Sequence, residues 1–486
     1  MKPTSVPSIW WIRRDLRLAD NPALAGASDT GGQVIPVFVL DPVLLNSPHN
    51  SPRRTAFLFD GLRALDRSLR ERGSRLIVRS GDPAQALAQL VAETGATSIT
   101  AERDYTPYAL ARDERLGRSL PLALVDGVSV HPPGEIVRSD GGPYTVFTPF
   151  SRAWKAHPLP GPRDLIPAPP SLTTPVKLES LPVPDLPIDH AEFPSGEDEA
   201  HRRLQAFAFR RGAAIGRYAA DRDQPGTDGT SCLSPYLRFG MISPRHAVVA
   251  ALRAAEAASA PEAGRGARAW LEELTWREFY IAILAAFPEV RRRAFRADLQ
   301  RIPWSNDRGD FAAWCEGRTG YPIVDAAMHQ LAVTGWMHNR ARMIVASFLV
   351  KDLLIDWRWG ERWFMQHLLD GDPASNNGGW QWSAGTGTDA APYFRVFNPV
   401  LQGKKFDPRG DYVRRWVPEL ARLPFDRLHT PWELTETEQG RVGVCLGRDY
   451  PLPIVDHAWA RRRALAAYAE ARRTQAGPTP ATGRRK

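Results

Sequence analysis

Apolar positions in the first 130 residues or so fall in short unbroken runs. Residues 8–12 (SIWWI), 34–40 (VIPVFVL), 76–80 (LIVRS) and 98–101 (SITA) read as strands covered on both faces, since a run without polar alternation leaves no side for water. Helical periodicity fills the intervals at 23–28, 54–72, 83–94 and 107–120. Strands alternating with helices predict right-handed crossovers and a doubly wound parallel sheet, an α/β domain whose ligand would lie at the carboxyl ends of the strands. No G-x-G-x-x-G follows the first strand, which argues against a dinucleotide site there. Residues 158–187 are rich in proline and predict an extended surface connector. From about Glu197 the pattern turns to long helical stripes broken by Gly and Pro, predicting an all-α half. The expected division is an α/β domain over 7–133, a linker over 134–199, a helical domain over 200–472 and a disordered tail over 473–486.

Composition narrows the function. A chain of 486 residues suits two or three domains, and its formal charge of +9 suits a polyanionic partner. Sixteen tryptophans exceed what packing demands, although most must serve the core. Cys232, Cys315 and Cys445 lie far apart without metal-ligand spacing, which excludes a disulfide framework or zinc site; no metal is expected. The start shows no signal-type apolar region and no run reaches the length of a membrane span, so a soluble, cytoplasmic protein is expected. Nothing suggests an obligate protein partner, and a monomer is expected.

Three segments carry candidate chemistry. Residues 370–382, DGDPASNNGGWQW, combine two carboxylates, amides, glycines and two tryptophans. Directed hydrogen-bonding groups, close-approach glycines and stacking area together suit the wall of a redox cofactor site. In WLEELTWREFY, starting at Trp270, the helical period puts Glu273, Trp276, Arg277 and Tyr280 on one face; a solvated Glu273–Arg277 pair is the plain alternative. On a second helix Asn339, Arg342 and Met343 share a face, where Met343 alone would be core filler and a core-facing Asn339 would need partners. Thr230-Ser231-Cys232-Leu233-Ser234 precedes a helix, with Gly226 and Gly229 upstream. It reads as a phosphate cradle or as ordinary N-capping.

Taken together these segments resemble the photolyase/cryptochrome family, from about Ile9 to Tyr468. The carriers are WIRRDLRLADN at Trp11, the runs 317–322, 336–343 and 352–358, and the segment 370–382. The nearest likeness is to bacterial, class I-like cyclobutane pyrimidine dimer photolyases. That resemblance implies an antenna-binding α/β domain, a helical FAD-binding domain, and light-driven repair of UV-damaged DNA by an electron from reduced FAD. The dimer must leave the base stack to reach the flavin.

The resemblance also implies roles. Tyr218, Thr230, Ser231, Cys232, Leu233 and Ser234 would cradle FAD, joined by Trp270, Arg277, Arg342, Asp370, Gly371 and Asp372. Asn376 would face the flavin N5, where plant cryptochromes carry Asp. Glu273 and Asn339 would bond the dimer carbonyls, with Trp276 and Trp382 as aromatic walls. Met343 and Asn339 stand where (6-4) photolyases carry histidines, which points to the cyclobutane lesion. Trp380, Trp357 and Trp304 match an electron relay that photoreduces oxidised FAD. Arg222, Arg340, Arg342, Arg395, Lys404 and Lys405 would meet phosphates, with Glu273, Trp276, Arg277, Tyr280 and Asn339 also on the DNA side. For Lys404 and Lys405 a solvated charge pair is the alternative.

The antenna departs from the folate pattern, because Tyr108-Ala109 stands where folate-binding members carry Asn-Glu. The Leu40-Asp41-Pro42 turn and the Arg13-Arg14-Asp15 start favour a deazaflavin or second flavin. His49 lies near that pocket by analogy, with a surface-loop histidine as the plainer reading. A cryptochrome-like photoreceptor is the alternative function. It would call for a long regulatory extension and for loss of the Glu273/Asn339/Met343 set.

Overall fold

Helices in the amino-terminal half begin where a capping side chain is followed by proline. Asn21, Ser51, Asp82 and Thr106 each accept a hydrogen bond from a first-turn amide of α1 (Pro22–Ser28), α2 (Pro52–Arg70), α3 (Pro83–Thr94) and α4 (Pro107–Gly117). Proline at the first helical position gives up an amide that would lack a partner anyway. Between them run β1 (Ser8–Ile12), β2 (Val34–Leu40), β3 (Ile77–Ser80), β4 (Ile99–Glu102) and β5 (Leu122–Val125). The computed structural model describes residues 6–29, 31–188 and 192–475.

The five strands are all parallel in the order β3-β2-β1-β4-β5, so the winding reverses between β1 and β4. Every residue of β1 and β2 is buried, as the unbroken apolar runs require. Ile9, Trp11, Ile35, Val37, Ile77, Leu87 and Ile99 form one core on this sheet. Strand β5, which the pattern did not reveal, is a half-exposed edge element.

The described chain forms two compact units, and the first runs well past the sheet: Met1–Arg222, Asp228–Pro288 and Met365–Ser375. Its added helices are α5 (Phe147–Ala156), α6 (Glu197–Ala208), α7 (Pro244–Glu256) and α8 (Pro261–Ala286). Buried polar groups bind them to the sheet. Glu197 takes the amides of Leu18 and Ala19 (2.7 and 2.9 Å), and Ser243 Oγ bonds Asp20 (2.6 Å). The fully buried Arg17 reaches both Glu102 and the Gly240 carbonyl. Helix α5 lies inside the region 134–199 expected to be a linker, whereas 158–187 is irregular apart from one short turn of helix.

The second unit holds Asp223–Thr227, Glu289–Phe364 and Asn376–Lys486. Its helices include α9 (Arg308–Cys315), α10 (Pro322–Thr334), α11 (Asn339–Ser347), most of α12 (Trp357–His367) and α13 (Pro373–Ala384), α14 (Pro399–Phe406) and α15 (His457–Gln475). Asp325 organises its centre, accepting from Thr319 N (2.8 Å), Gly320 N (3.0 Å) and the Tyr450 hydroxyl (2.6 Å). Burial pushes the Asp325 carboxyl up to about 6 despite those donors. Helix α15 continues through Gln475, so 473–475 are helical rather than disordered; the rest of the expected tail lies outside the described residues.

Candidate active site

In the first unit the site is built on α8. Trp270, Leu271, Leu274, Thr275, Glu278 and Phe279 are buried, while Glu273, Trp276, Arg277 and Tyr280 keep partial exposure. The face read from helical spacing is therefore the accessible one. Glu273 and Arg277 do not pair as the plain alternative supposed. Glu273 Oε1 instead accepts from Arg222 Nη1 at 2.6 Å, and Arg277 Nη1 donates to the Val128 carbonyl at 2.8 Å. Burial holds the Arg277 guanidinium below its ordinary range, and attraction to Asp372 offsets only part of this. Trp276 lies 5.5 Å from Tyr280, ring centre to ring centre.

Tyr218 and Trp270 meet through Phe207, whose ring is 5.9 Å from the first and 5.0 Å from the second. The Thr230–Ser234 stretch turns sharply, with Cys232 at φ +49° and its Sγ 3.4 Å from Thr230 Oγ1. Ser231 Oγ accepts from Leu233 N (3.4 Å). The short helix Ser234–Arg238 has Leu233 at its cap position and no side-chain cap, so N-capping does not account for this cluster.

Gly371 and Asp372 are held by arginines to which the sequence reading gave no part in this site. Asp372 Oδ1 caps α13 through Ala374 N (3.0 Å) and Ser375 N (3.1 Å), and its Oδ2 takes Arg14 Nη2 (2.7 Å). Burial acts to raise the Asp372 carboxyl, but Arg14 and Arg238 outweigh it and hold it below the ordinary range. Arg238 Nε donates to the Gly371 carbonyl (2.8 Å), and burial with repulsion from Arg14 pushes this guanidinium down to about 9. Arg54 donates to the carbonyls of Met365 and Leu368 (2.7 Å each). A Cβ at Gly371 would sit 2.5 Å from Arg54 Nη1, so only glycine lets that guanidinium pass. The signal for Arg14 was in the sequence: two arginines directly follow a fully apolar strand.

In the second unit α11 offers its own accessible face. Ala341, Ile344 and Val345 are buried, Arg342 and Met343 are half-buried, and Asn339 is exposed. Asn339 therefore faces no core, contrary to the concern about its partners. Arg342 Nε donates to the Met337 carbonyl (2.8 Å). Arg340 pairs with Asp223 at 2.8 Å and lies over Phe406 at 4.2 Å. Lys405 Nζ sits 5.0 Å over the same ring. Lys404 and Lys405 are exposed and neither forms an ion pair among the described residues. Arg395 is exposed, 6.0 Å from the Phe397 ring.

Helix α13 carries the residues expected to wall a flavin. Asn376 Nδ2 donates to the Glu361 carbonyl (3.0 Å), which leaves its second N–H and its oxygen to offer. Asn377 Nδ2 reaches Glu361 Oε1 (3.2 Å) and the Val290 carbonyl (3.1 Å). Burial pushes the Glu361 carboxyl up to about 7 against that Asn377 bond. Trp380 is almost fully buried, packed on Phe364 (5.0 Å) and Trp314 (6.1 Å), and its Nε1 has no hydrogen-bond partner. A Cβ at Gly360 would lie 2.1 Å from its Cη2, so glycine is required on α12 for the indole to seat. Trp382 is half-buried, Trp357 buried, and Trp304 stands edge-on to Tyr468 at 6.0 Å. Among the described residues no ring contact joins Trp357 to Trp380 or Trp304.

Over 98% of its length the chain is 43% identical to a deoxyribodipyrimidine photo-lyase of Agrobacterium fabrum, all of which it spans. The chain belongs to the DNA photolyase family. Residues 8–170 match that family's description, DNA photolyase, and residues 270–470 match the FAD binding domain of DNA photolyase. The fold agrees with a class III photolyase of Agrobacterium tumefaciens at a TM-score of 0.90, 42% identity, and coverage of 97% of this chain and 99% of that one. A Synechocystis cryptochrome matches at 0.88 with 32% identity, covering 96% of this chain and all of that one. An archaeal photolyase of Sulfolobus tokodaii, solved with two FAD molecules, matches at 0.82 with 32% identity and the same coverages.

Proposed function

We infer that this photolyase-family enzyme repairs cyclobutane pyrimidine dimers in DNA using light. The observation that carries this is the partly accessible stripe Glu273, Trp276 and Tyr280 of α8, flanked by buried Leu274, Thr275, Glu278 and Phe279, in a chain so alike in sequence to a deoxyribodipyrimidine photo-lyase. The residues fit FAD. Arg238 Nη1 is buried beside the Gly371 loop without a hydrogen-bond partner, a cationic donor suited to an anionic ligand. Thr230 and Ser231 add hydroxyls, and Asn376 keeps a carbonyl oxygen. Bound FAD, once reduced and excited by blue or near-UV light, supplies the electron that opens the dimer.

This chain's own residues bind and orient. Trp276 and Trp382 pack against the flipped-out dimer, and Glu273 and Asn339 hold its polar edge. Should the Glu273 carboxyl be protonated once the dimer is bound, a hydrogen bond from it would stabilise charge that builds on the dimer carbonyls. Arg222, Arg340, Arg395 and Lys404 meet the flanking phosphates. Trp380, Trp357 and Trp304 serve photoreduction of the oxidised cofactor, a task separate from repair.

The antenna we assign is a deazaflavin or second flavin rather than a folate. Tyr108, standing where a folate carboxylate partner would be, gives its hydroxyl to Asp41, and Trp11 lies between the guanidinium groups of Arg13 and Arg112 at 4.8 and 4.7 Å. No helix among the described residues is long and apolar enough to cross a membrane. We take the enzyme to act as a monomer in the cytoplasm.

The test is repair of a thymine-dimer oligonucleotide by photoreduced protein in light and in the dark. Light-dependent repair that falls on the order of tenfold or more in Glu273→Ala is the expected result. Bound, reducible FAD without repair would instead favour the photoreceptor reading.

A further inference from the structure

Helix α5 lies in a region that the sequence marks only as a linker, yet it is fastened along α8. Trp154 Nε1 donates to Glu278 Oε2 at 2.7 Å, and Ser151 Oγ donates to Glu272 Oε2 at 2.8 Å. Lys155 pairs with the same Glu272, and Phe150 packs on Phe279 at 5.3 Å. Glu278 also accepts from the amides of Val130 (2.5 Å) and His131 (3.2 Å), so the approach to α5 is tied to α8 as well. The first residue of α5, Phe147, ends up flat against Trp276. Their ring centres are 3.7 Å apart and their planes differ by 7°.

Aromatic pairs left to themselves favour offset or edge-on contacts over such close face-to-face stacking. This stack is imposed by the anchoring of α5. Phe147 is buried, and Phe279 closes the edge of the same indole at 5.6 Å and 82°. Trp276 nevertheless keeps partial exposure, with Tyr280 tilted 36° to it at 5.5 Å.

We propose that Phe147 is a positioning residue for lesion recognition: by covering one face of Trp276 it fixes the indole and presents the remaining face to a flipped-out pyrimidine dimer. The proposal rests on the repair function inferred above. A tryptophan free to turn about its side-chain bonds would have to be ordered each time a dimer bound, whereas the Phe147 seat orders it beforehand. The effect belongs to damaged DNA alone, because an undamaged strand keeps its bases stacked and does not use Trp276. Phosphate contacts, which serve both kinds of DNA, are untouched.

The experiment uses FAD-loaded full-length protein and compares wild type, Phe147→Leu and Phe147→Tyr. Affinity is measured for an oligonucleotide with one thymine dimer and for its undamaged twin, along with dimers repaired per absorbed photon at saturating DNA. Phe147→Leu should bind the dimer about tenfold more weakly, bind undamaged DNA within about twofold of wild type, and repair each bound dimer as well as wild type does. Phe147→Tyr, which keeps the ring, should match wild type. Unchanged dimer affinity in Phe147→Leu would overturn the proposal, as would equal losses on damaged and undamaged DNA, or failure of Phe147→Tyr alongside it. If Phe147→Leu does not fold with FAD bound, Phe147→Met takes its place under the same criteria. A wild-type protein without any preference for the dimer would overturn the repair function itself, which the undamaged twin separates from a fault in Phe147.

Discussion

Asn376 shows how one bond decides what a side chain can offer. One of its two amide hydrogens is taken by the Glu361 carbonyl, which fixes the plane of the amide and leaves the other N–H and the oxygen to offer. Spacing could place Asn376 in a flavin wall, but not tell which end of the amide points where, because that depends on Glu361, fifteen residues away on another helix. Trp380 makes a similar point. Buried, with an indole N–H lacking a partner, it sits in surroundings suited to an electron relay as well as to packing. Trp380→Phe should slow photoreduction of oxidised FAD by roughly tenfold or more, while chemically reduced protein repairs dimers normally. Transient absorption of the oxidised enzyme, set beside a repair assay of the reduced one, checks this. Equal loss in both would deny the relay role. Lys404, proposed above to meet a phosphate, has no ion-pair partner among the described residues to give up. Lys404→Ala should weaken binding to damaged and undamaged DNA alike and lower the slope of log K against log salt by about one. A titration series in salt measures that slope, and an unchanged value would remove Lys404 from the interface.

Among elements, strong periodicity was legible and exposure was not. The helical period of residues 270–280 revealed the α8 face because Trp270, Leu271, Leu274, Thr275, Glu278 and Phe279 beside it are buried, and the unbroken apolar runs revealed β1 and β2. Strand β5 escaped because an edge strand, half-exposed, carries no such run. Helix α5 was legible but passed over beside the proline-rich stretch: its buried positions Phe147, Phe150, Ser151 and Trp154 stand at i, i+3, i+4 and i+7, the spacing of a buried helix face. The arginines around Asp372 come from three distant segments and no local pattern links them. Lys351 belongs to this class as well. It is buried beside α13, donating to the carbonyls of Ala384 and Tyr393 (3.2 Å each) with its ammonium 3.5 Å from the Tyr468 ring. Burial pushes that ammonium down to about 7. Between about 7 and the free-lysine value the unfolded chain binds a proton that the folded one does not, so stability should rise with pH across that window and be level below it. Lys351→Met should flatten this dependence and raise stability at neutral pH by a few kcal/mol at most. Denaturant unfolding at several pH values tests it, and an unchanged slope would mean the ammonium is solvated.

At the scale of the whole molecule, the net charge of +9 and the ordered series of motifs already pointed to a light-driven DNA repair enzyme, and the family comparisons agree. Fold class was legible because both halves have strong and different periodicities. The division into units was less so. The α/β sheet shares a unit with helices as far as Pro288, held by buried polar contacts such as Arg17 to the Gly240 carbonyl that join segments remote in sequence. The central claim is that this machinery reverses cyclobutane dimers and not (6-4) lesions, since Asn339 and Met343 occupy the accessible face of α11 where a proton-donating histidine pair would be needed. The most direct test gives photoreduced protein two oligonucleotides, one with each lesion, under the same blue light. The account predicts restoration of thymines from the cyclobutane dimer only, and none in the dark. Repair of the (6-4) lesion, or of neither with FAD bound and reduced, would contradict it.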